Sequence, residues 1–206
     1  MMAGMELRTQ RLLLRRWRPD DRHDVAVAFD IYHRWEVSRW LGATPSVWPD
    51  EASSQQSLAR WQTFADAHPG YGLWAVVPQP ANTDDQTNRA VPRPVGGGSD
   101  DGHPDPVGTV LLMPLRDADD VPTGHVEVGW HFHPDAWGHG YATEASRAML
   151  DHGWSLGLSR IEAIALPDNA PSIKVMERLG MTYQGQTDRW YGATFTWYRI
   201  ERSGPH

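Results

Sequence analysis

The chain of 206 residues has no cysteine and a single lysine, Lys174. The lack of cysteine excludes disulfides, thiolate zinc sites and a cysteine nucleophile. No apolar run is long enough to cross a bilayer. No charged-then-apolar leader pattern is visible either, because the stretch 5–18 is already rich in arginine. These absences predict a cytoplasmic protein with no membrane partner.

Excess positive charge, the electrostatic signature of a nucleic-acid-binding protein, is missing as well. The formal net charge is −7, which gives no case for DNA or RNA as a partner. A negative field mildly favours a cationic substrate such as an amine. The 11 tryptophans and the apolar fraction of 40% predict a packed core rather than disorder.

The periodicity of the apolar residues predicts an α/β chain in the order β-α-α-β-β-β-α-β-α-β-β. The strands are predicted at 6–17, 71–77, 107–115, 124–133, 160–166, 181–187 and 190–200. The helices are predicted to follow Pro19, to begin at a cap formed by Asp50 or Ser53, and to cover 141–156 and 171–179. The stretch 78–106 is rich in proline, glycine and polar residues, so we expect a long loop there rather than a domain linker.

The most informative segment is 134–145, which reads Pro-Asp-Ala-Trp-Gly-His-Gly-Tyr-Ala-Thr-Glu-Ala. Gly138 and Gly140 allow a tight turn and a close approach of the backbone to a ligand. A helix that begins near Tyr141 then presents unpaired N–H groups and the positive end of its dipole. This arrangement binds a pyrophosphate without a lysine, so the segment predicts a phosphorylated cofactor.

Two other interpretations of this loop stay open. It is also compatible with a truncated dinucleotide fingerprint in which Thr143 is the third small residue. The loop follows several strands, however, instead of opening an early β-α-β unit. The other interpretation is a plain turn that leads into a helix.

A second segment, 169–181, begins at Asn169 and ends in Gly180 and Met181. Pro171 stands in the first turn of its predicted helix, and Gly180 is a typical C-terminal cap. Alone, this segment predicts only an ordinary helix with one apolar side. Together with the segment 134–145, called the glycine loop from here on, it forms a pattern that is far more specific than either segment alone.

These segments carry a resemblance to a known family. The stretch 137–145 resembles the acetyl-CoA pyrophosphate loop of GNAT-superfamily N-acetyltransferases, and 169–181 resembles the segment that follows it there. The opening stretch 7–15 resembles the RimJ/RimL-type branch, which includes ribosomal-protein N-terminal acetyltransferases. The resemblance runs from about residue 6 to about residue 199, apart from 78–106.

The resemblance implies a GNAT-like α/β (α+β) fold, with a mixed, mostly antiparallel twisted sheet of about seven strands and about four flanking helices. It implies a single acyl-CoA N-acyltransferase domain over 1–206, with a loop insertion at 78–106. The implied activity is direct transfer of acetyl from acetyl-CoA to a primary amine, on a small molecule or a protein N-terminus, without a metal or a covalent enzyme intermediate. A non-catalytic acyl-CoA-binding or sensor module on the same fold is the alternative, and a homodimer stays open.

The resemblance also implies a set of coenzyme-binding residues, in which backbone N–H groups from Trp137 to Ala142 hold the pyrophosphate. The full set is Val128, Gly129, Trp130, Trp137, Gly138, His139, Gly140, Tyr141, Ala142, Thr143, Asn169 and Ser172. Asn169 is expected to anchor the pantetheine arm. The chain departs from the family pattern by an acid at Asp135, where many members have Arg or Gln. It also lacks a tyrosine in the helix after Asn169, so Ser172 is expected to protonate the leaving thiolate.

The strand before the loop has a clean alternation. One face carries Val126, Val128, Trp130 and Phe132, and the other carries His125, Glu127, Gly129, His131 and His133. A polar second face on a central strand predicts a cleft that holds substrate. The resemblance implies a bulge in this strand, with a backbone N–H that polarises the thioester carbonyl, and Gly129 fits such a close approach.

Amine acetylation needs a neutral amine, and protonated alkyl amines have pKa values near ~10. Glu127 is the expected base, directly or through water, because burial would raise the pKa of its carboxyl group. The alternative is that Glu127 pairs with an arginine such as Arg147, or only orients substrate.

The acceptor side is expected to include aromatic residues and one histidine. The predicted substrate-binding residues are Trp35, Trp40, His131 and Tyr191, where the aromatic rings could receive a cation or simply cover the edge of the core. His131 and His133 lie two apart on one strand face. A metal held by this pair is an alternative that lacks a third ligand.

Overall fold

The computed structural model of the protein describes residues 5–79 and 104–202. Its strands are β1 (Leu7–Arg8), β2 (Leu12–Arg16), β3 (Gly72–Pro78), β4 (Gly108–Arg116), β5 (Pro122–Phe132), β6 (Arg160–Ala165), β7 (Thr182–Thr187) and β8 (Phe195–Glu201). They form one sheet in the order β1-β2-β3-β4-β5-β6-β8-β7. Every neighbouring pair is antiparallel except β5 and β6, which run parallel.

The helices are α1 (Arg22–Tyr32), α2 (Trp35–Ser38), α3 (Glu51–Ala67), α4 (Tyr141–Ser155) and α5 (Ala170–Arg178). Asp21 caps α1, and Asp50 caps α3 by accepting a hydrogen bond from the Ser53 N–H. Of the two caps predicted for that second helix, Asp50 is therefore the one used. Among the described residues, no helix combines the length and the apolar character needed to cross a membrane.

The predicted mixed, mostly antiparallel α/β fold is confirmed, with eight strands and five helices among the described residues instead of about seven and four. The predicted first strand, 6–17, is in fact a hairpin of β1 and β2. The chain reverses because the Thr9 N–H donates to the Leu12 carbonyl at 2.9 Å and the Leu12 N–H donates to Thr9 Oγ1 at 3.0 Å. The extra helix, α2, lies in a stretch with no predicted helix.

The last predicted strand, 190–200, begins late, at Phe195. Tyr191 and Gly192 adopt left-handed backbone conformations, with φ of 53° and 69°, which a strand cannot accommodate. In the turn that results, the Tyr191 N–H donates to the carbonyl of Arg116, the last residue of β4, at 3.1 Å. Most of the expected 78–106 loop, namely 80–103, lies outside the described residues.

The two faces of the sheet carry separate apolar layers. On one face, α4 and α5 pack on β2, β4, β5 and β6 through residues such as Val128, Met149 and Met176. On the other face, α1 and α3 pack together and onto β3 through residues such as Ile31 and Leu58. The alternation of β5 therefore separates an α4 side, with Val126, Val128, Trp130 and Phe132, from an α1 side, with Glu127 and His131.

The centre of the sheet opens where β5 and β6 part. The only bridge between them joins Glu127 to Glu162, whereas β4 follows β5 as far as Phe132. The bulge expected near Gly129 is absent, because the β4–β5 register is unbroken from Gly108↔Phe132 to Pro114↔Val126. The opening thus results from divergence of the parallel pair and not from an extra residue in β5.

Candidate functional site

A cavity of about 1240 Å³ lies at this opening. Its lining comes from five stretches of the chain, 8–11, 36–41, 130–132, 136–151 and 168–178. These are the β1–β2 turn, α2 and the residues after it, the end of β5, the glycine loop with most of α4, and α5 with the residues just before it. A volume of this size accommodates a large ligand together with a second small one.

The glycine loop forms one wall of the cavity. Gly138 and Gly140 both have φ of +79°, and Gly140 is the N-cap of α4 with no side-chain cap. The first-turn N–H groups of Tyr141, Ala142 and Thr143 consequently have no partner among the described residues, and they present the positive end of the α4 dipole. The N–H of Trp137 differs from the expectation, because it donates to the Pro134 carbonyl at 3.0 Å.

Arg11 braces this loop from the β1–β2 turn. Its Nε and one terminal nitrogen lie 2.7 and 2.6 Å from Glu144 Oε2, and its other terminal nitrogen donates to the His139 carbonyl at 3.1 Å. Glu144 Oε1 accepts from the Thr9 hydroxyl at 2.6 Å and from the Arg11 N–H at 2.9 Å. Burial raises the pKa of Glu144, but the contacts from Thr9 and Arg11 outweigh it, so that pKa lies below its usual value.

The charge of the cavity is opposite to the charge of the whole chain. Among the described residues that line it, six side chains are cationic and four are anionic, although the formal net charge of the chain is −7. The cationic residues are Arg8, Arg11, Arg39, Arg147, Lys174 and Arg178. A local surplus of positive charge beside a free helix N-terminus favours a phosphorylated ligand.

The start of α5 faces the same cavity. Asn169 is buried, and its Oδ1 accepts a hydrogen bond from the Ser172 N–H at 3.3 Å, which caps the helix. The Asn169 amide nitrogen and the Ser172 hydroxyl have no partner within 5–79 and 104–202, and both residues line the cavity. The structure thus brings Asn169 and Ser172 to the same space as the glycine loop.

The end of β5 contributes main-chain groups. The His133 N–H donates to the Val107 carbonyl at 3.0 Å, and antiparallel pairing alternates residue by residue. The main-chain groups of Gly129 therefore face β4, whereas those of Trp130 face the opening toward β6. Val128 is buried in the core on the α4 side, and Trp130 lines the cavity.

Glu127 lies on the α1 side of β5 and does not line the cavity. The Tyr191 hydroxyl donates to its Oε1 at 2.7 Å, and Oε2 has no partner in the part of the chain described. Burial raises the pKa of Glu127 to about 7, although the hydrogen bond from Tyr191 works against that rise. Arg147, the alternative partner considered for Glu127, instead donates to the Arg178 carbonyl.

His131 and His133 have separate environments. His131 lines the cavity with its Nδ1 3.1 Å from Tyr32 Oη, and burial lowers the pKa of its imidazole to about 4. His133 follows the end of β5, is buried, and has its Nε2 3.2 Å from Asp30 Oδ2. Across 5–79 and 104–202, no group of three or more His, Asp or Glu side chains is arranged to hold a metal ion.

Of the aromatic residues predicted on the acceptor side, one lines the cavity and the other two do not. Trp40 lines the cavity, and the Arg39 guanidinium lies 4.4 Å from its ring centroid. Trp35 is 54% exposed and does not line the cavity. Tyr191 contacts Glu127 outside the cavity lining. In the glycine loop, the ring of His139 stacks on Tyr141 and likewise does not line the cavity.

Sequence reasoning missed Arg11, Thr9 and Glu144 as a unit, and it missed the contact of Tyr32 with His131. Glu144 belongs to the segment 134–145, but its partners come from the β1–β2 hairpin, which the apolar periodicity predicted as one strand. Only a correct prediction of the turn at Thr9 could have indicated that Thr9 and Arg11 contact Glu144.

Comparison with known proteins gives a family and a set of similar folds. The family model described as an acetyltransferase (GNAT) domain matches residues 11–182. The uncharacterized N-acetyltransferase YnaD of Bacillus subtilis (strain 168) is 43% identical over 60 residues. That alignment spans 29% of this chain and 35% of the relative, so the chain matches about a third of that relative's length.

Solved structures match over much more of the chain. A ribosomal-protein-S5-alanine acetyltransferase from Vibrio fischeri superposes with a TM-score of 0.65 at 17% identity and covers 96% of each chain. Mycobacterium smegmatis RimJ in complex with CoA-disulfide superposes with a TM-score of 0.62 at 20% identity, over 92% of this chain and 81% of that one. At these identities, the likeness concerns the fold.

Proposed function

The chain belongs to the GNAT acetyltransferase family, and we propose that it transfers an acetyl group from acetyl-CoA to a primary amine by direct attack. The observation that carries this proposal is one cavity that joins an uncapped helix N-terminus, the parted strands β5 and β6, and the start of α5. The family supplies the reaction class, and the geometry supplies a place for each reactant.

The coenzyme is assigned to the α4 side of the cavity. The free N–H groups at Tyr141, Ala142 and Thr143, with Gly138 and Gly140 before them, are suited to a diphosphate. The cationic lining supports the same assignment, because CoA carries several phosphate charges. RimJ from Mycobacterium smegmatis, a fold neighbour, is described in complex with CoA-disulfide. The Asn169 amide nitrogen would contact the pantetheine arm, and the Trp130 N–H would polarise the thioester carbonyl.

The chemistry then proceeds in two bond changes. The neutral amine nitrogen attacks the thioester carbon, and the carbon–sulfur bond breaks as the amide forms. The proton lost by the amine goes to Glu127, which releases it to solvent, and the CoA thiolate receives a proton from the Ser172 hydroxyl, which takes one back from water. Because Glu127 does not line the cavity, we assign it a path through water. The acceptor is a small-molecule amine or a protein N-terminus.

A second candidate is a non-catalytic acyl-CoA-binding module on the same fold. The same separation of Glu127 from the cavity favours it, since a sensor needs no base beside the acceptor. The two candidates make opposite predictions about turnover. We also propose that 1–206 acts as one domain, and that the reaction takes place in the cytoplasm, where acetyl-CoA is available.

A thiol-release assay separates the candidates. Purified protein is mixed with acetyl-CoA and a panel of amines that includes a polyamine, amino-acid amides and a short peptide with a free N-terminus. Thiol that appears only when both protein and amine are present supports the transferase. Binding of acetyl-CoA without amine-dependent thiol would support the binding module, and no binding would reject both.

Replacement of Arg11 by alanine is expected to raise the Kd for acetyl-CoA by about fivefold, equivalent to ~1 kcal/mol for a partly exposed pair. Arg11 holds both the His139 carbonyl and Glu144, so its loss would let the glycine loop and the β1–β2 turn separate. Calorimetric titration with acetyl-CoA measures the change. Arg22→Ala on exposed α1 surface is the matched control, and an equal effect of both variants would contradict the bracing role.

A further inference from the structure

A chain of buried polar groups stands behind His131. Trp17 Nε1 lies 3.2 Å from Thr109 Oγ1, Tyr32 Oη lies 2.8 Å from the same oxygen, and His131 Nδ1 lies 3.1 Å from Tyr32 Oη. Trp17, Tyr32 and Thr109 are all buried. This series of hydrogen bonds links the residue after β2 to β4, α1 and β5, and it ends at His131, the one member that lines the cavity.

The directions of these hydrogen bonds follow from the number of hydrogens. The indole of Trp17 can only donate, so Thr109 Oγ1 accepts from it. The hydroxyls of Thr109 and Tyr32 lie 2.8 Å apart, and either of them can donate to the other. If Tyr32 donated, the Thr109 hydrogen would have no acceptor among the described residues, so we assign Thr109 as the donor and Tyr32 Oη as the acceptor. If that hydrogen stayed unpaired, the cost would be about 1–3 kcal/mol.

The hydrogen of the Tyr32 hydroxyl is consequently available for His131 Nδ1. A nitrogen that accepts a hydrogen bond carries no hydrogen, so in the neutral imidazole the hydrogen resides on Nε2. Nε2 has no partner within 5–79 and 104–202, and His131 lines the cavity. The buried hydrogen bonds thus fix the tautomer of His131 with hydrogen on Nε2, and they leave this Nε2–H free to donate to a ligand.

We propose that His131 presents its Nε2–H at the acceptor end of the cavity and selects amines that carry a carbonyl or hydroxyl oxygen close to the reacting nitrogen. This inference rests on the proposed transferase function. His131 is on the α1 side of β5, whereas the glycine loop and α4 are on the other side. The acceptor amine, and not the coenzyme, is therefore the ligand that contacts His131.

The charge of His131 supports the same assignment. Burial lowers the pKa of its imidazole to about 4, so the ring is neutral at physiological pH. A neutral donor contacts an uncharged oxygen without repelling the ammonium form of an arriving amine. An amine without that oxygen would leave the Nε2–H of His131 without a hydrogen-bond acceptor. The loss of such a buried hydrogen bond discriminates strongly between substrates.

Nitrogen-15 NMR of the histidine side chains in the full chain tests the tautomer. The expected spectrum shows hydrogen on Nε2 and a bare Nδ1 for His131, without change between about pH 6 and pH 9. His152, whose Nε2 lies 2.8 Å from the Gly70 carbonyl, and His68, whose Nδ1 lies 2.9 Å from the Phe64 carbonyl, are internal references for the two tautomers. His131→Asn identifies the signal, and hydrogen on Nδ1 would overturn the proposal.

Substrate selection tests the contact itself. Alaninamide carries a carboxamide group on the amine carbon where isopropylamine carries a methyl group, so only alaninamide has a carbonyl oxygen close to the nitrogen. We expect His131→Leu to lower kcat/KM for alaninamide about tenfold or more beyond its effect on isopropylamine, and His131→Asn, which keeps an N–H donor, to recover part of that loss. Equal losses for both amines would overturn the contact.

The outcomes also separate this proposal from the proposed function. If no amine releases thiol, the transferase assignment fails, while the NMR spectrum still decides the tautomer. In that event, calorimetric binding of alaninamide to the wild-type chain and to His131→Leu decides the contact. Binding that the substitution leaves unchanged would overturn it.

Discussion

Glu127→Gln is expected to lower kcat for acetyl transfer by about 10²–10⁴-fold, the usual contribution of a general base. Its pKa of about 7 lets the carboxylate hold a proton taken from an amine at neutral pH, which a glutamine cannot do. Acetyl-CoA affinity should stay within about twofold of wild type, because Glu127 does not line the cavity. Thiol release at saturating amine and calorimetry measure the two quantities.

The dependence of kcat on pH tests the role of Glu127 as a base. The base must be ionised to act, so wild-type kcat should rise with pH through about 7 and level off above it, whereas Glu127→Gln should lack this rise. A folded-state pKa above the usual 4.5 also means that the wild-type chain loses stability as pH rises from 4.5 to about 7. The glutamine variant should therefore be no less stable above that range. An unchanged rate at every pH would remove Glu127 from the mechanism.

Asp24→Asn is expected to destabilise the fold by about 3 kcal/mol, the second large effect. Asp24 is fully buried at the start of α1, and Arg15 binds its two oxygens at 2.6 and 2.7 Å. Arg18 adds its main-chain N–H at 2.9 Å and its guanidinium at 3.0 Å. Loss of the charge leaves Arg15, itself mostly buried, without its counter-ion.

The pH dependence of this loss also has a definite direction. Burial raises the pKa of Asp24, but the hydrogen bonds and charges of Arg15 and Arg18 together bring it below its usual value of 3.8. Its contribution is therefore present above 3.8 and disappears as pH falls through the folded-state pKa. Urea unfolding at neutral and acid pH should show the gap between wild type and variant closing. Asp20→Asn, on the surface, should change stability by about 0.5 kcal/mol or less, and an equal loss there would contradict the account.

The glycine loop and the two flanking elements could be predicted because their signals are local. Two glycines, a helix-forming run and a proline in a first turn all act within a few residues. The structure accordingly places the start of α4 after the two glycines, and Pro171 in the first turn of α5, where the sequence indicated. The alternation of β5 was equally local, and it correctly separated the apolar and the polar faces.

The contacts that define the chemistry could not be predicted in this way. Tyr191 reaches Glu127 only because a left-handed turn replaces the predicted start of the last strand. Arg11 reaches the glycine loop only because Thr9 reverses the predicted first strand. The opening between β5 and β6 depends on how two distant strands diverge, and no single segment encodes it.

Calorimetric titration of acetyl-CoA into wild type, Gly140→Ala and Gly157→Ala tests most directly whether the free N–H groups at the start of α4, positioned by Gly140, hold the coenzyme. Both glycines have left-handed φ, +79° and +85°, so alanine adds similar backbone strain at each, about 1–2 kcal/mol. Of these two glycines, Gly140 lines the cavity and Gly157 does not. We predict one bound coenzyme per chain, affinity at least about tenfold weaker for Gly140→Ala, and no change for Gly157→Ala. No uptake by the wild-type chain, or equal affinities in all three proteins, would contradict this account.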